Sequence, residues 1–122
     1  MPKILATGGA GFVGSAIVRA LLKRGEDVRV LVRKHTNLMN LRGLSVETAE
    51  GDIYHPESLQ KAMQGIETVY HTASIYRFFP SWKRSIPPIY KFNIKGTKNI
   101  IKSAKRENVK RFIYTSSIIT IG

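Results

Sequence analysis

Hydrophobic positions in this chain fall into short continuous runs, separated by segments with helical spacing. Residues 3–7, 28–32 and 68–73 form three such runs, which are typical of strands buried on both faces of a sheet. Weaker runs at residues 46–49 and 111–115 predict the third and the fifth strand in chain order. The pattern therefore predicts five strands.

Helical spacing fills most of the intervals between these strands. After the first strand, apolar residues recur every three or four positions up to Gly25, which predicts a helix that ends there: Phe12, Val13, Ala16, Ile17, Ala20 and Leu21. Pro56 near the first helical position and Gly65 beyond the end predict a short helix at residues 57–63. Residues 89–106 predict a third helix.

Strand and helix alternate with no hairpin signal, no internal repeat and no low-complexity linker. Such alternation predicts parallel strands joined by right-handed crossovers, which is an α/β fold with a doubly wound parallel sheet. A chain of 122 residues with 43% hydrophobic residues suffices for one domain with a packed core. Residues 35–42, which are polar, show no clear order, and the prolines of residues 77–88 predict a loop.

Composition excludes several kinds of site. The chain has no cysteine, which excludes disulfides, iron–sulfur clusters, thiolate metal sites and cysteine nucleophiles, and no metal site is predicted. No apolar run approaches the roughly 20 residues of a membrane span. Glycine follows the N-terminal run too early for a secretory signal. We therefore expect a cytoplasmic protein without a membrane partner.

The chain is strongly basic, with a formal charge of +12, which favours partners that carry phosphate. Five lysines at intervals of three or four residues would form one stripe along the third helix, opposite the face that packs: Lys91, Lys95, Lys98, Lys102 and Lys105. A solvated outer face is the expectation for this stripe, because no RNA-binding motif and no helix-turn-helix signature accompanies it.

Residues 7–14, Thr-Gly-Gly-Ala-Gly-Phe-Val-Gly, join the first strand to the first helix. Gly8 permits a tight turn, Gly11 lets a pyrophosphate approach the backbone, and Gly14 lets helix and strand pack closely. N–H groups near Phe12 and Val13 would hydrogen-bond the phosphates. A glycine-rich turn without a ligand is the alternative, but the strand-turn-helix context favours dinucleotide binding.

The end of the second strand bears on the choice between NAD and NADP. A dinucleotide site of this kind normally has an acid there, which binds the ribose hydroxyls, but Val32 is followed by Arg33. Because Arg33 can pair with a 2′-phosphate, NADP is favoured and NAD stays open, the alternative being a surface arginine without a role. Asp52, just past the third strand, is placed to reach an adenine amino group or else to cap the start of the next helix.

Five motifs occur in an order that resembles one enzyme family. Besides TGGAGFVG they are Gly-Asp-Ile after the third strand, His-Thr-Ala-Ser at the end of the fourth, Asn-Ile-Lys-Gly-Thr in the third helix and Tyr-Thr-Ser-Ser at the end of the fifth. Together they resemble the extended short-chain dehydrogenase/reductase family of NAD(P)-dependent epimerases and dehydratases. Within it, the dihydroflavonol-4-reductase-like and hopanoid-associated sugar epimerase branch is the most similar. The resemblance spans essentially the whole chain.

The resemblance implies that residues 1–122 are a Rossmann domain that binds NADP or NAD within an oxidoreductase or epimerase. The implied reaction is hydride transfer at a carbonyl or alcohol carbon of a sugar nucleotide or a small ketone. A non-catalytic NADP-binding regulatory or sensor module is the alternative. Members of the family need a Tyr-x-x-x-Lys pair beyond the fifth strand, and none occurs before Gly122, so we expect these residues alone to be inactive. The expected partners are the cofactor and a small-molecule substrate, with a homodimer as an option for a complete protein and no nucleic acid.

The resemblance also assigns site residues beyond the glycine turn. Ser117 aligns with the hydroxyl that hydrogen-bonds the reacting substrate oxygen, although it could instead only close the strand. Ala73 matches the wall beside the nicotinamide ribose, and Ile53 joins Asp52 among the cofactor residues. Tyr76 is assigned to substrate binding, with an aromatic cover of the core as the alternative.

Two side chains remain. Asn93 is implied to brace the wall of the active site beside Thr97, with packing alone as the alternative. His71, a lone histidine in an apolar strand, is expected to be a satisfied core residue rather than a ligand or a base.

Overall fold

The computed structural model describes residues 2–72 and 91–115. The strands are β1 (Ile4–Thr7), β2 (Val28–Val32), β3 (Glu47–Glu50), β4 (Thr68–His71) and β5 (Arg111–Tyr114). The helices are α1 (Phe12–Lys23), α2 (Pro56–Ala62) and α3 (Thr97–Arg106). A short 3-10 helix covers Met39–Leu41, and a π-helical segment, Lys91–Gly96, runs directly into α3. All five predicted strands are present: β2 has the predicted bounds, and the ends of the others differ from the prediction by at most two residues.

The strands form one parallel sheet in the order β3-β2-β1-β4-β5. This order confirms the predicted doubly wound α/β sheet of the Rossmann type. Winding proceeds outward from β1 first through β2 and β3, and then on the other side through β4 and β5. In an open sheet of this kind, ligands bind at the carboxyl ends of the strands, where the winding reverses.

The sheet is covered on both faces, so that β1 is buried along its whole length. Leu5 enters one core with residues of α2 and α3, and its neighbours Ile4 and Ala6 enter the other core with α1. Because strand side chains alternate between the faces, one continuous apolar run supplies both cores.

The ends of α1 agree with the sequence prediction. Gly25 has a φ of +80°, and its N–H donates to the Leu22 carbonyl at 3.0 Å, while the Glu26 N–H donates to the Leu21 carbonyl at 3.1 Å. These two bonds are the Schellman arrangement, which satisfies the last carbonyls of the helix and needs a left-handed residue at Gly25.

The third helix differs from the prediction at its start, where residues 91–96 are π-helical rather than α-helical. Gly96 lies so close to Ile53 that a Cβ would overlap the Ile53 side chain. Ile100 and Ala104 are buried, as predicted, while Lys95, Lys98, Lys102 and Lys105 are exposed. The side chain of Lys91, the fifth lysine of the predicted stripe, lies outside the described part of the chain. Within residues 2–72 and 91–115, no helix is both long enough and apolar enough to cross a membrane.

A buried arginine within the apolar run of β2 connects this strand to β3 and α2 by hydrogen bonds, which the sequence pattern did not predict. Arg29 is 4% exposed, and its Nε donates to Glu47 Oε1 of β3 at 2.7 Å. Its Nη1 donates to the carbonyls of Ala62 and Gln64 at 2.8 Å each, at the C-terminal end of α2. A cation there satisfies terminal carbonyls and the helix dipole, so Arg29 fixes α2 against the sheet.

Candidate functional site

The glycine turn folds back on itself at the carboxyl end of β1. Gly8 has a φ of +66°, which favours glycine, and its carbonyl accepts a hydrogen bond from the Gly11 N–H at 3.0 Å. A Cβ on Gly14 would overlap that same carbonyl and would lie 2.9 Å from the Thr72 hydroxyl oxygen. The start of α1 therefore contacts the turn directly, which agrees with the close approach predicted for Gly14.

The first turn of α1 presents backbone donors at the same place. The first N–H groups of a helix have no acceptor within it, and the first bond of α1 runs from the Ser15 N–H to the carbonyl of the N-cap residue Gly11 at 2.9 Å. The N–H groups of Phe12, Val13 and Gly14 precede that bond. The side chains of Phe12 and Val13 are 90% and 54% exposed, so the part of the chain that the structure describes does not cover this helix end. Backbone donors and the helix dipole together make it a favourable position for an anion.

A cavity of about 490 Å³ opens beside this turn, across the carboxyl ends of β1, β2 and β3. Its size is within the range of about 300–1,000 Å³ that is usual for small-molecule sites. It brings together seven residues assigned from the sequence: Gly8, Gly11, Phe12, Val13, Gly14, Arg33 and Ile53. The other described residues that line it are Thr7, Ala10, Leu31, Thr36, Asn37, Gly51 and Thr72.

The wall of the cavity opposite the glycine turn is the start of the β2–β3 connection. The Thr36 N–H donates to the Arg33 carbonyl, and the Arg33 N–H donates to the Thr36 hydroxyl, each at 3.0 Å. This reciprocal pair fixes the backbone from which the exposed Arg33 side chain leaves β2. Arg33 also lines a smaller adjoining cavity of about 310 Å³, together with Lys34, His35, Thr36 and Asp52.

Asp52 lines the smaller cavity rather than the main one. Its Oδ1 accepts the Tyr54 N–H at 2.9 Å, and its own N–H donates to Ser58 Oγ at 2.8 Å. Burial raises the pKa of the Tyr54 phenol; the Asp52 carboxylate adds to this, and the Arg33 guanidinium opposes it. Asp52 thus orders the loop that leads into α2. The prediction that it caps this helix is wrong, because the N-cap is His55 and no side chain makes a cap bond there.

His71 lies behind the cavity, at the centre of a chain of hydrogen bonds. Its Nδ1 is 2.6 Å from Thr7 Oγ1, and its Nε2 is 3.1 Å from Thr97 Oγ1. The Thr97 hydroxyl donates to the Asn93 carbonyl at 2.6 Å, so it accepts from Nε2–H. Nδ1 is then the acceptor and Thr7 the donor, which makes His71 a neutral Nε2–H imidazole.

This chain of bonds joins the end of β1 to the segment that begins α3. The Thr72 N–H donates to Thr7 Oγ1 at 3.2 Å, so the network reaches a residue that lines the cavity. His71 is completely buried, stacks on Tyr114 with a ring separation of 5.6 Å, and has its pKa lowered to about 4 by that burial. The prediction of a satisfied core histidine is confirmed.

Sequence reasoning missed three residues that shape the site. A Cβ on Gly9 would lie 2.7 Å from Val30 Cγ1, so the turn packs closely on β2 as well as on α1. Asn40, in the polar segment that showed no pattern, donates through Nδ2 to the Ala10 carbonyl at 2.8 Å. Arg19 of α1 donates to the Asn40 carbonyl at 2.9 Å. The run of adjacent glycines could have indicated Gly9. Nothing in the sequence indicates Asn40 or Arg19, because a single long-range contact produces no periodic pattern.

Three of the residues assigned from the resemblance, Ala73, Tyr76 and Ser117, lie outside the described residues, as does the loop predicted at residues 77–88. Their assignments stay predictions.

Comparison with known proteins identifies the family. A sequence model of the 3-beta hydroxysteroid dehydrogenase/isomerase family matches residues 5–122. The chain belongs to this family. It is 36% identical over 118 residues to sterol demethylase protein B of Methylococcus capsulatus, and 38% identical over 116 residues to a putative dihydroflavonol 4-reductase of Synechocystis. The resemblance to extended short-chain dehydrogenases/reductases is thereby confirmed.

Solved structures agree with this family. A short-chain dehydrogenase/reductase superfamily protein from Agrobacterium tumefaciens, solved with bound NAD, is 30% identical, with a TM-score of 0.74. The match covers 93% of this chain and 32% of that protein, while the two relatives are matched over 97% and 95% of this chain and over 35% and 33% of their own lengths. The chain thus spans about one third of the length of the family members it matches.

Proposed function

We propose that this chain binds the adenosine diphosphate half of a nicotinamide dinucleotide, with NADP preferred to NAD. The observation that carries the proposal is the cavity that joins the glycine turn to Arg33. One wall offers backbone donors for a pyrophosphate, and the other offers a cation for a phosphate on the ribose. The NAD-bound structure of the Agrobacterium relative supports a dinucleotide as the ligand.

The geometry of the glycine turn suits a pyrophosphate. A Cβ on Gly11 would meet Gly8 O at 3.3 Å, and no other non-adjacent residue among residues 2–72 and 91–115 lies within 4 Å, so the position is open toward the cavity that it lines. A phosphate can approach the backbone there because glycine leaves that space empty. The N–H groups at the start of α1 would donate to its oxygens.

The preference for NADP rests on Arg33. Hydrogen bonds to the Thr36 N–H and hydroxyl hold the backbone of Arg33 beside both cavities. Its guanidinium can make paired, charge-assisted hydrogen bonds to a 2′-phosphate. Asp52 lines the same smaller cavity and could repel that phosphate, but one of its carboxylate oxygens is bonded to the Tyr54 N–H. Lys34 and His35, which line the same smaller cavity, add to the basic character of this wall.

For the whole protein we propose an NAD(P)-dependent oxidoreductase or epimerase that acts at a carbonyl or alcohol carbon. The bound nicotinamide supplies or accepts the hydride, and the chain positions it. In this proposal Ser117 hydrogen-bonds the reacting oxygen, Ala73 lies beside the nicotinamide ribose, and Tyr76 contacts the substrate. The family model and the sterol demethylase relative favour a sterol-like alcohol or ketone over the sugar nucleotide that the resemblance left open.

An equilibrium titration of the 122-residue chain with NADPH and NADH tests the cofactor proposal. We expect NADPH to bind more tightly by roughly 1–2 kcal/mol, the size of a charge-assisted contact. Arg33→Asp should reverse that order. Arg42→Asp is the matched control, because it changes the same charge in the same connection but lines neither of the two cavities at the turn. Equal affinities of the unaltered chain for the two cofactors would contradict the preference, and no binding of either would contradict the proposed function.

A further inference from the structure

A side chain of the β2–β3 connection, that of Asn40, is hydrogen-bonded to the glycine turn. Asn40 Nδ2 donates to the Ala10 carbonyl at 2.8 Å, across 30 positions of sequence. Arg19 of α1 donates through Nη2 to the Asn40 backbone carbonyl at 2.9 Å. Asn40 is thus bonded to the turn by its side chain and to α1 by its backbone.

The local fold holds Asn40 in place for this contact. It is the middle residue of the 3-10 helix, whose last residue, Leu41, is 6% exposed and packs in the core with residues of α1. The Leu41 N–H donates to the Leu38 carbonyl at 2.9 Å, and Asn37 Oδ1 accepts the Met39 N–H at 2.9 Å. Because the backbone is anchored on both sides, the amide of Asn40 can hold the turn rather than follow it.

This contact links the two walls of the main cavity. Ala10 belongs to the turn that offers donors to phosphate, and Arg33, Thr36 and Asn37 belong to the connection that carries Asn40. The walls otherwise come from separate elements, one after β1 and the other after β2. A ligand that contacts both walls therefore depends on their spacing, whereas a ligand that contacts one wall does not.

We infer that Asn40 is a positioning residue, which fixes the spacing between the phosphate-binding turn and the wall that carries Arg33. The inference rests on the proposed function, and it adds a determinant of affinity that does not touch the cofactor. A cavity whose walls are held in place binds a two-point ligand more tightly, because less freedom is lost on binding.

Two ligands distinguish positioning from general damage. NADPH contacts both walls, while 2′-AMP has the adenine and the ribose phosphate but no pyrophosphate. For Asn40→Ala we expect NADPH affinity to fall about three- to tenfold, as the loss of one hydrogen bond gives, with 2′-AMP affinity unchanged within about twofold. Asn40→Asp, which keeps the size but loses the donor, should weaken NADPH binding at least as much. Gln60→Ala is the control, since it removes an exposed amide of α2 that does not line the cavity.

Limited trypsin cleavage provides a measurement that needs no ligand. Arg33, Lys34 and Arg42 are exposed cleavage sites within the connection that Asn40 ties down. The rate of cleavage at these sites should be higher in Asn40→Ala. The cleavage rates at the other lysines and arginines of residues 2–72 and 91–115, and the melting temperature, should stay near those of the unaltered chain.

The outcomes separate the two proposals. An equal loss of NADPH and 2′-AMP affinity, or unchanged NADPH binding with unchanged cleavage, overturns the role of Asn40. If the unaltered chain binds neither ligand, the proposed function fails and the cofactor role of Asn40 fails with it. The cleavage rates then still show whether Asn40 holds the connection on the turn.

Discussion

The two walls of the main cavity are built by different means. The glycine turn is made of backbone, and its shape follows from positions where a side chain would overlap a neighbouring atom, as at Gly14 and the Gly8 carbonyl. The wall carrying Arg33 is made of side chains, of which Arg33 and Asn37 are exposed, and individual hydrogen bonds such as those of Thr36 and Asn40 hold it in place.

The two walls differ in how well they tolerate substitutions. Atoms cannot overlap, so one methyl group added at Gly14 must move the backbone of the turn. A lost surface hydrogen bond costs only about 0.5–1.5 kcal/mol. We therefore expect substitutions in the turn to abolish binding, and substitutions in the opposite wall to adjust its strength or its preference, as proposed for Arg33 and Asn40.

The largest expected effect is that of Gly14→Ala. The added Cβ would overlap Gly8 O and lie 2.6 Å from the Gly8 carbonyl carbon, both of which are backbone atoms. We expect a loss of about 3 kcal/mol in the free energy of unfolding, the upper end of the cost of overpacking, together with loss of NADPH binding. Denaturant unfolding and the cofactor titration measure the two effects.

Gly25→Ala provides the control for that experiment. Its Cβ would meet no atom within 4 Å in the part of the chain that the structure describes, but Gly25 has a φ of +80°. It should cost about 1–2 kcal/mol of stability through backbone strain and leave NADPH binding intact. If Gly14→Ala likewise keeps NADPH binding, then the close packing at Gly14 is not required for the binding site.

The next effect is specific to binding. Gly11 has ordinary extended angles, φ −78° and ψ 178°, which any residue adopts. Gly11→Val should therefore keep the circular dichroism spectrum near that of the unaltered chain. The side chain would occupy the place where a pyrophosphate meets the backbone, so we expect NADPH affinity to fall at least about a hundredfold, as the loss of two charge-assisted hydrogen bonds gives. Retained affinity would mean that the turn is structural only.

The last prediction concerns His71, which lies behind the glycine turn and whose effect on stability is the smallest of these at neutral pH. Burial lowers the pKa of His71 to about 4 from an ordinary value of 6.5, so between these values the unfolded chain binds a proton that the folded chain does not. The stability contributed by the neutral imidazole is fully present above pH 6.5 and is lost as the pH falls toward 4. The total loss is on the order of 3 kcal/mol, from about 1.4 kcal/mol per unit of pKa.

Unfolding measured by denaturant across pH 4 to 7 tests this prediction. His71→Gln cannot titrate in that range and still offers a donor to Thr97 Oγ1, so its stability should vary less with pH than that of the unaltered chain. If the stability of His71→Gln depends as steeply on pH as that of the unaltered chain, a group other than His71 causes the acid sensitivity.

Several features of the fold and site could be predicted from the sequence, because each depends on residues that are close together along the chain. Alternating apolar runs and helical spacing gave the sheet and its helices, since burial on a strand or a helix repeats at a fixed period. The glycines at 8, 11 and 14, with Arg33 after β2, located the cavity, because a glycine turn at the end of a strand constrains what can bind there. The exposed lysine face of α3 followed from the same periodicity.

Contacts between distant positions were decided by the tertiary structure alone. Arg29 lies within an apolar run, and only the fold shows that it meets Glu47 and the end of α2. Asn40 sits in a segment without periodicity, yet it bonds to Ala10 on another element. A local pattern reports which face of an element is buried, but it carries no information about the partner that the face will meet. That partner is fixed only when β1, β2 and β4 come together and the turns at their carboxyl ends are packed against each other.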